Sequence, residues 1–305
     1  MNVLFSSDNN YAQHLGVAIY SLLCNNHDES QVVVYVVDND IQPENIFRLK
    51  EVVSVFTNAS IEFIPFAKWK DSLHLNLGWP ISLSSYARLF VASMLPMYVD
   101  KVIYLDCDMI ITASLHELWN YNLGDNIIAA VQDAVSDRIK NAVGLRSEDL
   151  YFNAGMLLID LKSWRAKQYE KKCIDFISNH NGQVTHHDQG VLNGVFRNVW
   201  TRLPIKYNVM TIHYFFNLRQ INKYFENHSD FYSKDEIEEA KKTPAILHFT
   251  PSFTTRPWVK SCKHPKKQYY WQMLSNTPWL ESVPEKDLSS IAVRFINWRY
   301  RKLPF

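Results

Sequence analysis

A chain of 305 residues that is 47% hydrophobic, 14% aromatic and 21% charged is too apolar to stay disordered and long enough to bury a large core. Eight Gly and 12 Pro exclude a collagen-like or linker-dominated chain. With 32 Lys and Arg against 31 Asp and Glu, the net charge of +1 sets a generic nucleic-acid binder aside, and no nucleic-acid partner is expected.

The first half alternates strands with helices. A short apolar strand is predicted over 2–6, then a helix over 11–24 that spaces Leu15, Ile19 and Leu22 on one face. The β-branched run over 31–38 suits a strand buried on both faces of a parallel sheet. A helix over 41–56, a strand over 61–65, a helix over 84–95 and a strand over 101–105 follow. Further on, strands are predicted over 127–131, 151–160 and 245–249, with a helix over 188–196. This order predicts an α/β fold with a mostly parallel central sheet flanked by helices, whose ligands bind beyond the carboxyl ends of the strands. Three of those ends carry polar groups, at 8–10, 38–40 and 106–108, although Asp and Asn also favour turns and caps for their own sake.

Asp106 and Asp108 flank Cys107. On an extended strand, residues two apart share a face, so the carboxylates converge and Cys107 turns away. Adjacent anions repel unless a cation lies between them, and a hard divalent ion is the natural occupant. A D-x-D also arises by chance; its weight comes from following a hydrophobic strand and preceding Met109, Ile110 and Ile111. His248, at the end of another buried strand, offers a third ligand, or else is a core histidine satisfied by its neighbours. A mixed carboxylate–imidazole set favours manganese over calcium or magnesium. His186 and His187 cannot share one helical face and rank lower, while Cys262 and His264 lack the second pair a zinc site needs.

Six segments then fall in a telling order: FSSDNNY at 5–11, SSYARL at 84–89, YLDCDMI at 104–110, FNAGMLLIDLKSW at 152–164, HDQGVLN at 187–193, and LHF to RPW across 247–258. Through them the chain resembles glycosyltransferase family 8, the group that holds bacterial lipopolysaccharide galactosyl- and glucosyltransferases and glycogenin. The resemblance implies a GT-A type nucleotide-diphospho-sugar transferase fold. It further implies a retaining hexosyltransferase with a UDP-sugar donor and manganese, magnesium being the alternative ion. Asp106, Asp108 and His248 would hold the metal, and Asp8, Asn10 and Tyr11 the uridine. Asp8 can accept the uracil imide N–H, and Tyr11 offers a flat surface for the base. Arg88 would engage donor phosphate or sugar oxygens, the alternative being a surface ion pair on a helix. Asn153, Asp188 and Gln189 would face the donor sugar, and Asp133 the acceptor.

The chain departs from the family pattern twice. Gly190 stands where the family often has a second Asp after Gln, which removes one nucleophile and favours front-side attack; Gln189, an amide, can only stabilise or orient. The loop from His248 to Trp258 is about two residues longer than H-x-x-G-x-x-K-P-W, with Pro251 where a Gly is usual and Arg256 for the Lys. Arg256 is expected on the diphosphate.

The catalytic domain is expected over 1–258 and a helical, basic and aromatic extension over 259–305. Its last part, 288–305, either touches an anionic membrane surface or packs on the core as a closing helix whose cationic end complements the dipole. No Lys or Arg precedes Arg48, so no secretory leader is expected, and no apolar run approaches the roughly 20 residues that span a bilayer. Cys24, Cys107, Cys173 and Cys262 are scattered as free thiols are in a reducing compartment. The expected location is cytoplasmic, with the inner face of the cell membrane as a peripheral site. The expected partners are a UDP-hexose and a glycan, glycolipid or glycoprotein acceptor of the cell envelope. A non-catalytic nucleotide-sugar-binding protein, and a nucleotidyltransferase or metal-dependent phosphohydrolase, are the competing readings.

Overall fold

The computed structural model describes residues 1–73, 75–76, 83–226 and 229–287. The β-branched run forms β2 (Val32–Asn39), paired in parallel with β1 (Asn2–Asp8) on one side and β3 (Ala59–Pro65) on the other. β1 pairs in parallel with β4 (Lys101–Leu105). β4 lies antiparallel to β7 (Phe152–Asp160), which lies antiparallel to β6 (Ile128–Gln132); β8 (Trp200–Arg202) closes the sheet parallel to β6. The order is β3-β2-β1-β4-β7-β6-β8, with β7 alone reversed.

That reversal decides where the chemistry gathers. The first residues of β7 lie beside the last residues of β4 and β6: the Asp106 N–H donates to the Gly155 carbonyl, and the Asp133 N–H to the Tyr151 carbonyl, both at 2.8 Å. One sheet edge thus carries Asp8, Asp106, Asp133 and Asn153 together.

Helices cover both faces. On one, Leu15, Ile19 and Leu22 of the helix Ala12–Cys24 share a core with Val3, Val34 and Val36. On the other, Tyr86, Leu89 and Phe90, with the helices Tyr169–Asn179 and His187–Val195, close over Leu4, Tyr35, Tyr104 and Leu157. The helix expected over 84–95 is instead a 3-10 helix, Leu83–Phe90, followed by one α-helical turn, Val91–Met94. Most side chains of this segment are buried, Ser93 being exposed and Leu83 and Ser85 half-buried, and the extended Leu95 before Pro96 ends it.

The chain leaves the main sheet at Asp106. β5 (Met109–Ile111) belongs to a second, three-stranded sheet with β10 (Ile246–His248) and β9 (Val209–Met210), in the order β5-β10-β9. From the segment 259–287, Tyr270, Trp279 and Ser282 meet the helix Ala12–Cys24, whereas His264 packs against Tyr214 and Phe249. The Tyr270 hydroxyl lies 2.8 Å from His14 Nδ1, and the Trp279 ring covers Gly16, where a Cβ would come within 2.4 Å of it. The basic tail at 288–305 lies outside the described residues. Among the described residues, no helix is long and apolar enough to cross a membrane.

Candidate functional site

Asp106 and Asp108 do converge, but not as successive inward residues of one strand. β4 ends at Leu105 and both aspartates lie in the turn that carries the chain from the large sheet to the small one. The small sheet then supplies the histidine: β5 and β10 run antiparallel with Met109 opposite His248, so His248 faces the turn directly before β5. Its Nε2 lies 3.2 Å from Asp108 Oδ1 and 4.0 Å from Asp106 Oδ2. One ligand atom from each of the three residues lies within 4.8 Å of the other two.

The surroundings fit a divalent ion. A Cβ on Gly155 would sit 2.5 Å from His248 Cε1 and 2.7 Å from Asp106 Oδ2, so only glycine lets these groups close together over β7. Two carboxylates and an imidazole are the donor types a borderline-hard divalent metal takes. His248 Nδ1 is 2.9 Å from the side-chain oxygen of Asn208, a fully buried residue that sequence reasoning missed. A lone Asn ahead of a two-residue strand gives no periodic or spacing signal that would have found it. Among the described residues, neither His186 and His187 nor Cys262 and His264 join a metal-competent group.

Arg88 organises the acids. It is buried, not on a surface helix, and its Nη2 is 2.7 Å from Asp106 Oδ1 while its Nε is 3.0 Å from Asp188 Oδ2. It also donates from Nε to the Ser85 carbonyl at 3.0 Å and from Nη1 to the Ala154 carbonyl. The pairing of β6 with β7 shifts register there, so that β7 bulges around Ala154 and Gly155. A bulge strands backbone groups that need partners. Arg88 takes the Ala154 carbonyl, and Gln189 Oε1 accepts the Ala154 N–H at 3.1 Å. Gln189 also donates to Asp133 Oδ2 at 3.2 Å, and Asn153 donates to both Asp133 and Gln189 at 3.3 Å. Asn153, Asp133 and Gln189 are therefore one connected set beside the metal cluster, and Asp188 joins it through Arg88.

The long loop after β10 brings Arg256 back to the aspartates, its Nε 3.1 Å from Asp108 Oδ2. Within that loop Phe253, at φ +66°, packs edge-on against Phe216. Burial opposes ionisation at both aspartates. At Asp108 it is outweighed by His248 and Arg256, which hold the carboxyl below its usual range. At Asp106 burial, with the Asp108 charge added, prevails over Arg88 and raises it.

A cavity of about 290 Å³ opens beside this cluster, lined by Asp8, Tyr11, Ser84, Arg88, Asp106 and Arg256 among others. One Asp8 oxygen accepts from the Asn10 and Tyr11 N–H groups, which fixes the turn at the end of β1. Asn10 is exposed and borders an adjoining hollow with Asn39 and Asp40. Gly190 has no room for a side chain, because a Cβ would lie 1.9 Å from the Thr185 carbonyl oxygen.

A profile of glycosyl transferase family 8 matches residues 2–262. General stress protein A of Bacillus subtilis (strain 168) is 29% identical over 92% of this chain and 94% of its own length. The lipopolysaccharide 1,2-glucosyltransferase of Escherichia coli (strain K12) is 25% identical over 95% of this chain and 82% of its own. The lipopolysaccharide 1,3-galactosyltransferase of Salmonella typhimurium (strain LT2) is 26% identical over 96% and 83%. Among solved structures, galactosyltransferase LgtC in complex with donor and acceptor sugar analogs superimposes with a TM-score of 0.74 at 25% identity, over 93% of this chain and 98% of that one. The mostly parallel sheet flanked by helices is thus a GT-A fold like that of LgtC, and the chain belongs to glycosyl transferase family 8.

Proposed function

We propose that this family 8 hexosyltransferase moves glucose or galactose from a UDP-sugar to an acceptor hydroxyl on a cell-envelope glycan, with retention and with manganese as its ion. The meeting of Asp106, Asp108 and His248 at the edge of the Asp8–Tyr11–Arg88 cavity is the observation that supports this most. The lipopolysaccharide glucosyl- and galactosyltransferases among its relatives support the hexose and the envelope acceptor. Four free cysteines, three of them buried, suit a reducing cytoplasm.

In this reading Asp106, Asp108 and His248 hold the ion, which when bound supplies Lewis-acid neutralisation of the departing diphosphate. Arg256 grips phosphate oxygens with a guanidinium suited to bidentate contact. Asp8, Asn10 and Tyr11 frame the uridine. Arg88 keeps Asp106 and Asp188 in place while Asn153, Asp188 and Gln189 orient the hexose. Gln189 is engaged with Ala154, Asn153 and Asp133, and Gly190 offers no carboxylate, so the acceptor hydroxyl attacks on the face from which UDP leaves.

The test is UDP release from UDP-glucose and UDP-galactose, with manganese or with chelator, for the wild type and Asp108→Asn. Release that needs the ion and falls roughly 100-fold or more in the variant is expected. Release without a divalent ion, or a fully active variant, would sink the reading. Consumption of nucleoside triphosphates in place of UDP-sugars would favour a nucleotidyltransferase or phosphohydrolase.

A further inference from the structure

We propose that Asn208 is a positioning residue that fixes both the proton of His248 and the amide of Asn153, and so ties the metal ligands to the sugar side of the site. The inference rests on reading His248 as a metal ligand.

The direction of each hydrogen bond decides which atom stands where. The Gly155 N–H can only donate, and the Asn153 atom 3.0 Å from it is therefore the carbonyl oxygen. That same oxygen faces Asn208 at 2.9 Å, so Asn208 presents its NH₂ there. The other end of the Asn208 amide, its oxygen, must then face His248 Nδ1, which lies 2.9 Å away and has to carry the proton. The ring's other nitrogen, Nε2, is the one turned to Asp106 and Asp108. A neutral imidazole protonated on Nδ1 has its lone pair on Nε2, the form a metal ligand requires.

Nothing in this chain is free to flip. The Asn153 NH₂ is spent on Asp133 and Gln189, which leaves its oxygen for Gly155 and Asn208. Asn208 is fully buried, so water does not compete for it. It is held next to His248 because β9, which begins one residue later, pairs in parallel with β10 and sets Met210 beside His248. A backbone N–H on the β7 bulge thus specifies, through two amides, that Nδ1 carries a proton, which leaves Nε2 as the nitrogen a metal would take. Since Asn153 also orients Gln189, the metal side and the sugar side share one set of orientations.

The test uses the full chain. Long-range ¹⁵N correlation of the histidine rings in metal-free wild type at pH 8, with His248 assigned by its loss in His248→Gln, should show a proton on Nδ1. A bare Nδ1 overturns the proposal without any variant having to fold. Manganese titrations in the presence of UDP then compare Asn208→Leu with Asn208→Asp. The Leu variant should lose affinity by roughly 10- to 100-fold, whereas Asp, which still accepts from Nδ1–H, should recover most of it. Equal losses in both variants, or wild-type affinity in Asn208→Leu, refute the positioning role. Absence of any manganese uptake by the wild type would instead refute the proposed function, with the tautomer result still standing.

Discussion

Gly155→Ala puts the closeness of the metal ligands to a direct test. Gly155 is not in the left-handed region, so alanine costs nothing in backbone conformation and the whole effect is steric. The added Cβ would meet His248 Cε1 at 2.5 Å, Asp106 Oδ2 at 2.7 Å and Met109 Cε at 2.9 Å, where ordinary contact begins at 3.4 Å. The imidazole would have to withdraw by about 0.9 Å and the carboxylate by about 0.7 Å. Neither can do so freely, because His248 is tied to Asn208 at 2.9 Å and Asp106 to Arg88 at 2.7 Å. Overpacking of this size costs about 1–3 kcal/mol, against about 0.5–1 kcal/mol gained by replacing a glycine within a strand. The fold should therefore survive with a melting temperature lowered by a few degrees. Metal binding should not, since ligand distances tolerate only about 0.2 Å. Calorimetry with manganese and UDP should show a loss of roughly 100-fold or more, set against circular dichroism melting of the same sample. A variant that binds manganese as the wild type does would show that these three side chains are not the ligand set.

Restoring the usual family acid with Gly190→Asp should harm the protein and not improve it, because the Cβ would meet the Thr185 carbonyl oxygen at 1.9 Å. Lower melting temperature and slower UDP release are expected, and a stable variant with faster release would contradict the account of Gly190. Acid should weaken the fold through buried imidazoles. Burial, the largest cause in each case, pushes His14 and His213 down to about 3 and His264 to about 4, from an ordinary 6.5. The unfolded chain takes up protons that the native histidines refuse, so this stability is full above pH 6.5 and is lost as pH falls towards 4 and then 3. Each group contributes up to ~1.4 kcal/mol per pH unit across that window. Urea midpoints at pH 7.5 and pH 5 check the sign, and an unchanged or higher midpoint in acid would refute it.

Much of this was legible in the residues because the signals were local. The strand expected over 101–105 ends at Leu105, and the buried runs around 32–37 and 152–160 could hardly form anything else. The D-x-D pointed to two carboxylates that do lie close to His248, but for a partly wrong reason. Alternation along one strand was the argument, whereas the aspartates meet in a turn between two sheets, and no local pattern announces that Met109 will pair with His248 rather than extend β4. The segment at 83–94 misled for the opposite reason. Most of it is buried, polar Ser84 and Arg88 included, so its apolar positions do not report a helical period, and Arg88 lies inside it and not in a surface ion pair. Asn208 and the bulge at Ala154 and Gly155 were out of reach altogether, since both depend on contacts between residues far apart in the chain.

The charges of the site bear on how donor and ion arrive. Asp106, Asp108 and Asp188 face Arg88 and Arg256, so three carboxylates against two guanidiniums leave one net negative charge when the His248 imidazole is neutral. A divalent cation alone would turn this buried cluster net positive and would compete with Arg256 for Asp108. A UDP-sugar alone would bring two phosphate charges against the acids. The pair together is neutral and leaves the balance of the cluster as it was. With the ion alone the cluster stands at +1 and with the UDP-sugar alone at −3, whereas the pair leaves it at −1; the cost of uncompensated buried charge, several kcal/mol per ion, thus falls chiefly on a UDP-sugar that arrives without its ion. Manganese and a UDP-hexose should then bind cooperatively, each raising the other's affinity by the same factor, roughly 10-fold or more. Calorimetric titration of each component with and without the other measures that factor from both sides, and affinities that prove independent would mean that this balance of charges does not govern donor binding.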